Sequence, residues 1–144
     1  MATGTYNRGL FLIAQGATAL ASRDIRVAVV SGTKTGATAR TLNTIAELDA
    51  VASVVVNLAA GTTGQLTTKT VAEDDGNNRV NVDSDNLAFP AVAGVTGLMH
   101  VYYDEGSGTD ATRQLIGWDD TGWGAGVPMD GGVNINITDF LRVS

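Results

Sequence analysis

Cysteine is absent from the 144-residue chain, which excludes disulfides, thiolate metal sites and cysteine nucleophiles together and leaves the redox compartment open. Histidine occurs once, at His100. A two-histidine metal site is therefore impossible within one chain, and a Ser-His-Asp triad would have only this base to draw on. Long apolar runs are also missing: no stretch approaches the ~18 residues a membrane span needs. Residues 1–20 place a single base, Arg8, before a short, interrupted apolar run with helical spacing, so a signal peptide is not expected. Positive charge is scarce. Nine Lys and Arg stand against fifteen Asp and Glu, a net charge of −6, which argues against a nucleic-acid partner held by phosphate neutralisation.

Glycine, by contrast, is abundant, with 18 residues, and it punctuates many short β-branched runs. Residues 97–120 form the stretch around which the rest is organised, two apolar runs joined by a Gly/Ser/Thr/Asp loop. Period-two alternation sends Leu98, His100 and Tyr102 to one side and Met99, Val101 and Tyr103 to the other. Both sides are apolar or aromatic, so the strand is expected at the centre of a sheet. Further strands are expected at 24–31 (Ile25, Val27 and Val29 inward, Arg26 outward), 53–58, 65–72 with 79–83 as a hairpin, 87–92 and 133–137. Pro90 marks an edge or a bend in the 87–92 run. Tyr6, Leu10, Ile13, Ala14 and Ala17 have the spacing of one helical face, predicting a helix over residues 6–18. Leu42, Ile45 and Ala46 suggest a second, short helix, with capping-box spacing from Thr44 to Glu47. The reading is a single, mainly β domain, an antiparallel sandwich or barrel with an N-terminal helix and one further short helix.

Chemistry-bearing residues are present without the arrangement chemistry requires. Residues 32–40, GTKTGATAR, imitate a phosphate loop, but Lys34 precedes the second glycine and the motif spacing is absent. The acidic pairs Asp74/Asp75, Asp83/Asp85, Asp104/Glu105 and Asp119/Asp120 would serve glycoside hydrolysis or a hard cation only if they converged. All flank turns, where Asp is favoured for its local backbone hydrogen bonds. His100 lies mid-strand among apolar neighbours and reads as a packed structural residue. No enzyme activity, cofactor or metal is expected. Trp123, in the glycine-rich segment 121–132, needs a pocket of its own or a neighbour's and is the expected interface aromatic. Charge is unevenly spread: residues 1–44 carry five bases and one acid, residues 45–110 two bases and ten acids. If folding keeps these regions apart, the molecule is polarised and able to orient on a partner.

Two parts of the chain bear a family resemblance. The opening MATGTYNRGLFLIAQGA followed by DIRVAVVSG, and later KTVAEDDGNNRVNVDSDNLAFPAVAG followed by GLMHVYYDEGSGTDATRQLIGWDD, resemble small virion structural proteins of tailed bacteriophages in their order of elements. The threonine-rich and alanine-rich middle does not share it. The resemblance implies a non-enzymatic, multi-copy protein on the capsid exterior, made in the bacterial cytoplasm, that decorates or cements the shell. Its partners would be the major capsid protein and itself, a trimer being favoured, with neither nucleic acid nor membrane involved. The candidate shell-facing residues are Arg8, Arg23 and Arg26, with Lys34 and Arg40 in the same basic region, Tyr6 and Phe11 as anchors, and Trp123 as a further interface residue. The alternative is a tail or head-fibre component that binds a receptor or glycan through Trp123 and the 121–132 loop.

Overall fold

The computed structural model describes residues 3–14, 21–55, 64–77, 79–137 and 141–143. In chain order these form β1 (Thr3–Thr5), α1 (Asn7–Ala14), β2 (Ile25–Val30), α2 (Ile45–Ala52), β3 (Val54–Val55), β4 (Thr70–Asp74) and β5 (Arg79–Asp83). There follow β6 (Leu87–Phe89), β7 (Thr96–Gly97), β8 (Met99–Asp104), β9 (Gln114–Asp119), β10 (Val127–Pro128), β11 (Val133–Ile135) and β12 (Leu141–Val143). The central sheet has the order β1-β9-β8-β2-β3 and is antiparallel throughout. Smaller antiparallel sheets pair β10 with β7, β11 with β6, and β12 with β5 and β4. The fold is thus mainly β with an N-terminal helix, and among the described residues no sheet closes into a barrel.

The 97–120 hairpin does occupy the middle, because both faces of β8 are apolar and all six of its residues are buried. Alternation then produces two cores, one on each face of the central sheet. On one side Ile25, Val27, Val29 and Tyr102 pack with Leu66, Phe89, Trp123, Met129 and Ile135. On the other Ala28, Val30, Met99, Val101 and Tyr103 pack with Tyr6, Ile45, Leu48 and Leu115. Only the odd positions of β2 are expected inward from the sequence; burial of Ala28 and Val30 as well follows from α2 and Tyr6 covering the second face. The register between β8 and β9 shifts at Tyr102/Tyr103, so that Tyr102 faces Gly117 while Tyr103 faces Leu115. Ile116 is the extra residue of this bulge. Its side chain joins the first core, and its carbonyl accepts the Tyr6 N–H at 3.0 Å.

That carbonyl also seats α1. A Cβ placed on Gly9 would lie 2.4 Å from the Ile116 oxygen, so only glycine lets the helix backbone approach β9 this closely. The buried positions of α1 are consequently Gly9 and Leu12, while Leu10 and Phe11 face outward. This corrects the expected face, which placed Leu10 inward: periodicity counts large apolar side chains and gives no weight to a glycine used for contact. The helix ends at Ala14 within the described residues; Ala17 lies outside them. At α2, the Thr44 Oγ1 accepts the Glu47 N–H as the capping spacing predicts. The Glu47 carboxylate reaches back to the Asn43 N–H at 2.7 Å.

The expected first hairpin strand moves forward, from residues 65–72 to Thr70–Asp74. Thr68 sits at φ 50°, which ends any extended run across it. Part of the expected 53–58 strand is present as β3, and its remainder lies outside the described residues. β6 stops at Phe89, directly before Pro90.

Candidate interaction surface

The residues singled out by the sequence divide sharply once their surroundings are known. Trp123, expected at an interface, is a core residue only 3% exposed. Its indole N–H donates to His100 Nδ1 at 2.8 Å, and His100 Nε2 meets the Tyr102 hydroxyl at 2.7 Å. Gly97 makes room for the ring: a Cβ there would stand 2.2 Å from Trp123 Cζ3. Tyr6, expected as an anchor, is fully buried, its hydroxyl donating to the Ala37 carbonyl at 2.6 Å. Both side chains are spent inside the chain and offer no surface, because an aromatic with a polar tip is stable in a core when that tip finds a partner. An exposed aromatic platform at Trp123, which the fibre reading requires, is therefore not formed.

Charge is redistributed as well. β2 lies beside β8, opposing Ile25 to Asp104 and Arg26 to Tyr103, and this brings bases of the N-terminal region onto acids of the later segment. Arg23 pairs with Asp104. Arg26 makes two hydrogen bonds to Asp24, at 3.0 and 2.9 Å, and lies 3.7 Å from Glu105. The Arg26 hydrogen bonds hold the Asp24 carboxyl below the usual carboxylate range. Arg113 closes the 105–112 loop by gripping Glu105 at 3.0 and 2.9 Å and Asp110 at 2.6 Å. Its guanidinium also lies 5.7 Å from the centre of the Tyr103 ring. Lys34 bonds Asp120 at 3.1 Å and the Gly124 carbonyl at 3.2 Å. The conditional separation into a basic and an acidic region does not hold; folding mixes the charges, since antiparallel pairing joins the segments that carried them.

The acidic pairs are occupied locally. Asp74 binds the Asn77 side chain at 2.9 and 3.0 Å, Asp83 accepts the Ser84 N–H, and Asp85 accepts the Thr68 hydroxyl at 2.6 Å. Asp104 accepts the Gly106 N–H, and Asp119 the Thr121 N–H. Among the described residues no three His, Asp or Glu side chains converge as a metal site. Among the described residues no helix is long and apolar enough to cross a membrane.

A patch on and beside α1 remains on the surface. Arg8 and Arg40 meet no carboxylate among the described residues. Arg8 Nε bonds the Gln114 side chain at 3.2 Å, and its guanidinium lies 5.1 Å from the centre of the Phe11 ring. Phe11 is 47% exposed, with Leu10 exposed beside it. Arg40 is tied to the same place, donating from Nε to the Thr5 carbonyl at 3.1 Å and accepting the Asn7 N–H on its own carbonyl at 2.9 Å. Two cations without carboxylate partners beside two exposed apolar side chains make a surface suited to an acidic partner with an apolar contact. Of the residues expected to face a partner, Arg8 and Phe11 lie here, Arg40 joins them, and Arg23 and Arg26 belong to the separate ion-pair cluster. Gln114, which positions Arg8, carries no sequence signal. Comparison with protein-family models, with curated proteins and with solved structures finds no match to this chain.

Proposed function

We propose that this chain is a structural protein of a tailed-phage virion, a decoration or cement protein that binds the assembled capsid from outside and stabilises it without catalysis. The observation that carries the reading is the Arg8–Phe11–Arg40 patch, where two cations of a protein of net charge −6 stand without carboxylate partners among the described residues, beside exposed apolar side chains. The resemblance of its segments to small virion proteins and its mainly β fold support the same reading. A major capsid protein offering acidic side chains around an apolar depression is the fitting partner. Stabilisation would follow from mass action: many copies bind the closed shell and not its dissociated subunits, so each contributes to keeping the shell assembled.

Co-sedimentation with expanded, undecorated capsids tests this directly. The wild-type chain saturates at a fixed copy number per shell. Arg8→Glu and Arg40→Glu each weaken binding by roughly tenfold, and Phe11→Ala does so with little change in salt dependence. Unchanged occupancy by the double charge reversal would remove the patch from the interface, and no saturable binding would remove the capsid role.

A further inference from the structure

The most exposed large apolar side chain among the described residues lies far from that patch in the sequence. Val71, 53% exposed, sits in the middle of β4. This strand pairs with β5 on one side, and no described strand covers its other edge. Its residues Thr70 to Glu73 are exposed on both faces. An open edge presents unpaired backbone N–H and C=O groups and is a template for another strand. Proteins that keep such an edge single place proline, a bulge or charge there; β4 has neither proline nor a bulge, its register to β5 is unbroken, and its own charges, Glu73 and Asp74, lie together at one end.

The side chains favour one occupant. Val71 and Glu73 share one face of β4, and the half-buried Lys69 immediately precedes the strand: base, apolar, acid along the chain. Laid antiparallel against itself about an axis at Val71, this row opposes Val71 to Val71 and each Lys69 to the other copy's Glu73. On the opposite face Thr70 meets Ala72, a pair small enough to pack without collision. Cross-strand pairs of this kind, apolar on apolar and opposite charges facing, stabilise a ladder, whereas like charges opposed destabilise it. A parallel arrangement in register would put Lys69 on Lys69 and Glu73 on Glu73. Glu73 has no ion-pair partner among the described residues, and Lys69 meets no carboxylate at ion-pair distance among them: it bonds the Leu66 carbonyl at 3.0 Å and contributes to the positive field that lowers Asp24.

We propose that β4 is a self-association edge, on which a second copy of this chain pairs antiparallel about a two-fold axis at Val71. The contact joins the three-stranded sheets of two copies into one six-stranded sheet. It closes on itself, so it makes pairs and not filaments through this edge. It does not depend on the virion reading, and its test involves no capsid.

The absence of cysteine makes the register directly measurable. In the proposed pair the two residues at position 71 have Cα atoms ~5 Å apart, inside the range a disulfide spans. The two at position 73 are separated by four residues along the strands, ~14 Å, and lie out of reach. In the full-length chain, Val71→Cys is expected to form a disulfide dimer at least tenfold faster than Glu73→Cys under the same oxidant and concentration. Light scattering over a dilution series should show the wild-type mass approaching twice the monomer. Glu73→Lys, at an exposed site that leaves folding intact, should weaken that association about tenfold. Adding Lys69→Glu to it should restore pairing. Equal oxidation rates at 71 and 73, faster oxidation of Ala72→Cys, or a mass that does not respond to Glu73→Lys would each overturn the proposal. So would a stable trimer in which both cysteine variants oxidise equally slowly.

Discussion

A tryptophan N–H can only donate a hydrogen bond, and from this the protonation state of His100 follows. Its Nδ1 must be the acceptor for Trp123, so Nε2 carries the proton and donates to the Tyr102 hydroxyl. A second proton would set two donors against each other in a core where the ring is 1% exposed. Burial pushes the imidazole down from 6.5 to about 4, with the Asp119 charge opposing the shift. The unfolded chain therefore binds more protons than the folded one between those two values. The stability tied to this residue is complete above pH ~6.5 and is lost as the pH falls towards ~4, by an amount on the order of 3 kcal/mol. Urea unfolding at pH 7 and pH 4.5 should show that loss, and His100→Gln should flatten it while lowering stability at pH 7. A wild-type and variant with parallel pH profiles would show that other groups govern the acid limb. The packed role of His100 was legible in the apolar residues around it. Its partner was not, because Trp123 is 23 residues away and reaches it only after β10 and β7 have paired the 121–132 segment onto the sheet.

At the scale of elements, α1 depends on a glycine that sequence periodicity ignores. Replacing Gly9 by alanine gains about 1 kcal/mol of helix propensity. It also drives a Cβ into the Ile116 backbone, which has no side-chain torsion with which to yield, and overpacking of this kind typically costs ~1–3 kcal/mol. The collision wins. Gly9→Ala should lower the thermal midpoint and loosen α1, and because Arg8 and Phe11 ride on that helix it should also weaken binding through the patch. A variant as stable as the wild type would mean that the helix can shift on β9 without penalty. The same comparison explains which elements were readable. The capping of α2 and the central hairpin follow from short-range patterns, whereas the outward turn of Leu10 and Phe11 is decided by the bulge at Ile116, a feature of strand pairing with no local sign.

For the whole molecule, the partition of charge matters most. A chain with its bases early and its acids later is polarised only while it is read as a line. Pairing β2 with β8 and seating Lys34 on Asp120 neutralises most of that separation, leaving Arg8 and Arg40. Binding that uses only these two cations should fall modestly with salt, losing well under the affinity that a basic arm of five would lose when screened. A steep salt dependence of capsid co-sedimentation would point instead to opened ion pairs at Arg23 or Arg26. The sequence by itself determined a mainly β chain without thiol chemistry, a doubly apolar central strand and the capped second helix, because these rest on composition and on contacts a few residues apart. Only the tertiary structure decided that Tyr6 and Trp123 are buried, that Arg23 and Arg26 are neutralised, and that Phe11 and Val71 face outward. Each of those outcomes depends on which distant strand lies alongside, and pairing across tens of residues is set by the collective fit of both cores.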